Sequence, residues 1–83
     1  MPLVFREAGF RFHFYSSEGD PREPPHVHVA KLRGDAKFWL DPQVRLAGNR
    51  GLTRSELRSV SKIAIDRRDE LCAAWNDFFA GTD

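Results

Sequence analysis

His26 and His28 stand two residues apart in the run Pro24-Pro25-His26-Val27-His28-Val29. Residues i and i+2 of a strand project from the same face, so this spacing sets two imidazoles side by side. Such a pair can ligate a metal, bind an anion or move a proton near neutral pH. His13 completes the chain's three histidines and lies in an earlier strand-like run. With His26 and His28 it would make the imidazole set of a catalytic zinc site that keeps a water in its fourth position. Glu18 would then serve as an oxygen ligand or general base from the adjoining loop. A divalent metal at these histidines is the one cofactor the residues suggest. Without a metal, His26 or His28 would act as base and acid in RNA cleavage, with Arg11, Arg33 or Lys37 stabilising a phosphorane-like charge. Tyr15 and Trp39 supply rings that stack on bases. The plainer alternative is a solvated sheet face whose histidines pack or hydrogen-bond the proline-rich loop.

Arg54, Arg58 and Lys62 recur every four residues and line one face of a helix. Arg45 and Arg50 lie just before them, and the five together make a candidate phosphate-contacting surface. Ion pairing along the helix, such as Lys62 with Asp66, is the simpler reading. Trp75, Phe78 and Phe79 at the helix end are candidates for a dimer or partner interface. Cys72 sits among apolar residues and reads as a packing residue.

The bulk properties bound these options. Eighty-three residues make one small domain over 1–83. The composition, 41% hydrophobic and 30% charged, is that of a soluble globular chain. A single cysteine excludes an internal disulfide and any zinc site built on paired cysteines, and it fits a reducing, cytoplasmic setting. No apolar run approaches the roughly 20 residues of a membrane span, and no signal-peptide layout opens the chain. The net charge of +1 hides a polarity. Residues 41–62 carry five basic and two acidic side chains; residues 66–83 carry two basic and five acidic. That asymmetry suits contact with a protein partner or a second copy.

The elements that must position these residues follow from periodicity. Leu3–Glu7 and Phe10–Tyr15 read as strands about an Ala8-Gly9 turn, with Phe10, Phe12 and Phe14 alternating against Arg11, His13 and Tyr15. Ser16–Pro25 is a loop of turn formers. His26–Leu32 and Ala36–Leu40 form the next two strands across an Arg33-Gly34-Asp35 reversal. Val27, Val29, Phe38 and Leu40 take the core face, leaving His26, His28, Lys37 and Trp39 on the other. Val44–Leu46 adds a short fifth strand, and Gly48-Asn49-Arg50-Gly51 reads as a turn. Thr53-Arg54-Ser55-Glu56 matches a capping box, with Leu52 and Leu57 placed as a hydrophobic staple. A helix runs on to Phe79, with Gly81 as its stop. At 1.5 Å per residue it would be roughly 39 Å long, against about 20 Å for a six-residue strand. It therefore either overhangs the sheet, leaving its aromatic end for a partner, or breaks near Asp66–Glu70.

The fold expected is α+β: a four- to five-stranded, mainly antiparallel sheet over residues 3–46, with one long C-terminal helix over 53–80 on one face.

The segments Phe14-Tyr15-Ser16, Pro24–Val29, Ala36–Pro42, Val44–Ala47, Asn49–Gly51 and Glu56–Arg58, with Glu18, together resemble a family of small bacterial proteins catalogued as domain of unknown function 4160. The resemblance runs from about Val4 to Phe79. It implies a gene context like that of toxin–antitoxin pairs, hence a protein partner, but no reaction and no catalytic residues. Two other uses of His-x-His fit less well. Histidine-triad nucleotide-binding proteins need a third alternating histidine where this chain has Ala30. Cupins need a nearby glutamate, whereas the next acid after His28 is Asp35. The expected function is a small interaction module of a toxin–antitoxin-like pair, binding a protein partner, with nucleic acid as a further candidate ligand. The alternative is a histidine-dependent ribonuclease or metal-binding hydrolase.

Overall fold

The computed structural model describes residues 3–18 and 23–80. The helix stop expected at Gly81 and the middle of the Ser16–Pro25 loop lie outside the described residues. The order is β1 (Leu3–Glu7), β2 (Phe10–His13), a short 3-10 turn (Ser16–Glu18), β3 (His26–Lys31), β4 (Gly34–Trp39), β5 (Arg45–Arg50), α1 (Arg54–Asp66) and α2 (Arg68–Phe79). The five strands form one antiparallel meander in sequence order, with β3 at its centre. Both helices lie on one face, α1 over β4 and α2 over β3.

Alternation decides which face the helices cover. Phe10, Phe12, Val27, Val29, Ala36 and Phe38 are buried on the helix side. Leu52, Val60, Ala64, Leu71, Trp75 and Phe79 meet them from the helices. The capping box forms as expected. The Glu56 N–H donates to Thr53 Oγ1 at 3.1 Å, and the Thr53 N–H donates to Glu56 Oε1 at 2.9 Å. That backbone hydrogen bond, aided by Lys31, holds the Glu56 carboxyl below its ordinary pKa. Leu52 and Leu57 both pack on the core.

Three expectations are corrected. The C-terminal helix is two helices, broken at Arg67 (φ −110°, ψ 23°). Backbone bonding nevertheless spans the break, with the Arg67 N–H on the Ile63 carbonyl and the Leu71 N–H on the Arg67 carbonyl, both at 2.9 Å. The fifth strand starts at Arg45 and runs through Gly48 and Asn49 to Arg50 instead of turning there. The reversal between β3 and β4 lies at Leu32 and Arg33, because Gly34 and Asp35 already pair with Lys31 and Ala30.

Arg67 and Arg68 occupy the core-facing stripe between Ala64 and Leu71 and send their guanidinium groups to opposite flanks. Arg67 donates to Glu70 at 2.7 and 2.8 Å and to Glu7 at 2.8 Å, with its guanidinium 3.3 Å over the Phe5 ring. Its hydrogen bonds to Glu70, then to Glu7, raise its pKa further. Arg68 donates to the Leu40 carbonyl at 2.6 Å and to Asp41 and the Pro42 carbonyl at 3.2 Å.

Gly34 lies where two backbones cross. A Cβ there would stand 2.9 Å from the Gly51 carbonyl carbon and from a Leu52 methyl. This close approach ties the β3–β4 hairpin to the start of α1.

The β1–β2 turn has left-handed φ at both central residues, 55° at Ala8 and 83° at Gly9. A two-residue hairpin favours this twist, but alanine holds it at a cost that asparagine largely avoids. Ala8→Asn is expected to raise stability by about 0.5–1 kcal/mol in urea unfolding. Arg68→Ala removes a charged donor from the partly buried Leu40 carbonyl and should cost about 1–3 kcal/mol in the same measurement.

Candidate functional site

The register of β2 to β5 lines up the side chains of the uncovered face in rows across the strands. One row runs Arg11, Ala30, Asp35, Arg50. The next runs His13, His28, Lys37, Gly48. A third holds His26, Trp39 and Arg45. An irregularity in pairing after Lys37 matches Phe38 with Leu46 and leaves Ala47 as the extra residue of β5. It keeps Arg45, Gly48 and Arg50 in line with the open-face rows.

All three histidines do come together, by direct cross-strand and same-face neighbourhood. The His13 and His28 rings stack at 5.7 Å between centroids, and His26 meets His28 edge-on at 5.1 Å. Tyr15 closes the group, 4.5 Å from His28 and 5.1 Å from His13. Accessibility falls steeply across the group. Tyr15 is 41% exposed and His28 half-buried, whereas His13 is 3% and His26 0% exposed.

His26 is buried because the end of α2 reaches it. Its ring lies 4.8 Å from Trp75, with Trp39 at 5.6 Å on another side. Its Nδ1 donates to the Pro24 carbonyl at 2.9 Å. The Leu40 N–H donates to the Pro25 carbonyl at 3.0 Å, so the proline pair is tied down from two directions. This corrects the expectation that His26 faces solvent beside His28. It also corrects the assignment of Trp75 and Phe79 to an interface. Both are 1% exposed, with rings tilted against each other at 4.2 Å and packed on Phe14. Phe78 alone of the three reaches the surface, at 36% exposure.

The metal reading loses its geometric support. Among the described residues no group of three or more His, Cys, Asp or Glu side chains is placed to hold an ion. His13 and His28 stack their rings, and His26 is sealed beneath Trp75. The Glu18 side chain lies outside the described residues.

The expected basic surface divides in two. Arg45 and Arg50 belong to the open-face rows, while Arg54, Arg58 and Lys62 are exposed on α1, across the sheet. Lys62 pairs with Asp66 at 2.9 Å. Cys72 is half-buried within α2, and burial raises its thiol pKa, which disfavours the thiolate of a nucleophile.

An open trough of 720 Å3 crosses the uncovered face. Arg11, Arg33, Lys37 and Arg50 line it with one acid, Asp35, while Lys31 at its rim turns its ammonium to Glu56 of α1 at 3.3 Å. Ala30 and Gly48 also line it, and a Cβ built on Gly48 would meet nothing within 4 Å. Lys37 sits 4.4 Å over the Trp39 ring and reaches Glu23 at 3.4 Å; Asp35 meets Arg50 at 3.4 Å. Sequence reasoning found Arg11, His13, Tyr15, His28 and Lys37 on this face. It missed the small residues Ala30 and Gly48. A strand continued through Gly48 and Asn49 was the missing signal, and both are poor strand formers.

The two histidines of the opening motif should separate on mutation. His26→Ala empties a fully buried site against Trp75 and is expected to cost more than about 2 kcal/mol in urea unfolding. His28→Ala should stay within about 1 kcal/mol.

No curated protein and no solved structure matches the chain. A protein-family model matches residues 9–76. This span takes in β2 to β5, all of α1 and most of α2, and with them every strand of the open-face trough. The chain belongs to the family described as Domain of unknown function (DUF4160).

Proposed function

We propose that this protein is a small interaction module, of the toxin–antitoxin-like kind its family resemblance implies, and that the open sheet face takes a phosphate-bearing polyanion. The observation that carries this reading is the trough itself, with four basic side chains, Arg11, Arg33, Lys37 and Arg50, and one acid around a floor that includes Ala30 and Gly48. Phosphate contacts supply affinity by releasing counterions, so a ring of arginine and lysine is the expected footprint of such a ligand. Arg11 and Arg33 stand in the trough with no ion pair among the described residues. Lys37 is already oriented by Trp39 and Glu23.

Histidine-dependent RNA cleavage stands second. General acid–base catalysis needs two groups within reach of the substrate. Here one imidazole, His28, is half-accessible while His13 and His26 are buried. A protein partner remains part of the reading, but Trp75 and Phe79 do not serve it.

Titration calorimetry with inorganic polyphosphate tests the reading. The protein should bind with an affinity that falls steeply with salt. Reversing Arg11 and Arg50 to Glu together should weaken binding by about tenfold or more. Reversing Arg54 and Arg58 to Glu should change it by less than about twofold, since both lie across the sheet. Equal losses from the two pairs, or no binding at low salt, would sink the proposal. RNA cut by the protein and spared by the His28→Ala variant would promote the catalytic reading instead.

A further inference from the structure

We infer that the polyanion is a single-stranded nucleic acid, laid across the strands with its phosphates toward the Arg11–Arg50 row and its bases toward Tyr15 and His28. The inference rests on the polyanion reading of the same face and adds the chemistry of the ligand.

Charge alone does not choose between a nucleic acid, a polyphosphate and an acidic peptide. Three further features do. First, rings lie beside the cations. Tyr15 is exposed and meets His28 at 4.5 Å, and both line the trough. A base has a π-face to offer these rings, whereas a carboxylate side chain has none. Second, Asp35 stands in the cationic row between Ala30 and Arg50. An acceptor there repels a ligand that is only anionic. It suits one that also brings N–H donors, as the exocyclic amines and ring imides of bases do. Third, rings and cations lie in adjacent rows. The Arg11 row carries the two arginines, Arg11 and Arg50, with Asp35; the next row, through His13, His28 and Lys37, carries one lysine and borders Tyr15. A strand crossing the sheet would present its backbone to one row and its bases to the other.

Size agrees. From β2 to β5 the trough crosses three strand spacings, or roughly 14 Å. Open four-stranded sheets that bind RNA stack about two or three bases over such a platform. A duplex keeps its base faces stacked inside and would leave Tyr15 and His28 unused.

The test is fluorescence anisotropy with end-labelled oligouridylate and oligothymidylate, a duplex of equal length, and a labelled poly-glutamate peptide. Inorganic polyphosphate serves as the unlabelled competitor. At least one single strand should bind about tenfold tighter than the duplex and the peptide. Tyr15→Ala should lose about tenfold on that strand, as expected for one stacked base, and leave polyphosphate binding unchanged. Tyr15 is surface-exposed, so the variant should fold, which its unfolding midpoint verifies. The preferred sugar, from the RNA and DNA arms, identifies the source of the strand. If the duplex or the peptide binds as well as the strands, or Tyr15→Ala binds them normally, the inference is overturned while polyphosphate binding still upholds the broader reading. If polyphosphate fails as well, both fall together.

Discussion

Burial of Val27 and Val29 beneath the helices fixes the register of β3, and the rest of the molecule is arranged around that strand. β3 is the middle of five, so both neighbours take their alignment from it. Val27 pairs with Phe38, and Val29 sits between Phe12 and Ala36, all of them buried. A slip by one residue would turn two valines to water and a histidine pair into the core. The same constraint builds the open face. Once the valines are committed inward, His28 must stand beside His13 and Lys37, and Ala30 beside Arg11 and Asp35. The candidate site is thus a by-product of core packing in the sense that no separate element is needed to assemble it.

The arginine pair solves a problem that this core creates. A helix layer long enough to bury Val60 at one end and Phe79 at the other must pass the sheet's midline. There the stripe offers Arg67 and Arg68 instead of apolar side chains. Their stems cover apolar surface while their heads leave for the flanks. Arg67 binds the β1 edge through Glu7 and Phe5, and Arg68 binds the β4–β5 connection through Leu40 and Asp41. The helix is broken at the first of these anchors, Arg67, yet backbone hydrogen bonds span the break. Each half can then sit on its own strand, α1 on β4 and α2 on β3.

Local signals carried far in the sequence and non-local ones did not. The capping box at Thr53 and Glu56 was readable because all of its partners lie within four residues. The β3–β4 faces were readable because alternation is a property of each strand alone. The family was legible too, from the Pro-Pro-His-x-His-Val core and the Phe-Trp strand. Two things were not. Comparing a long helix with the length of one strand made its aromatic end look stranded in solvent. The apolar surface in fact continues past the strand ends through Phe14 and Leu40, and Trp75 and Phe79 are buried on that extension. β5 was cut short because Gly48 and Asn49 read as a turn. Its continuation is set by pairing with Ala36 and Lys37, which no local preference of β5 announces.

The difference between His26 and His28 shows how one motif can yield two roles. Both leave β3 on the same side, yet they end in different surroundings because the sheet is covered unevenly. The end of α2 wraps the start of β3, where His26 packs on Trp75 and ties down the Pro24–Pro25 segment. Two residues later that cover has ended, and His28 stands at the edge of a charged trough. A metal centre or an acid–base pair would need both imidazoles within reach of one ion or one substrate. A binding face needs only one of them in reach, and the other is better used holding the loop that borders it. Burial of His26 therefore supports recognition over catalysis, and it explains why a proline pair immediately precedes the motif. The stiff segment offers its two carbonyls at fixed positions, one to His26 and one to the Leu40 N–H.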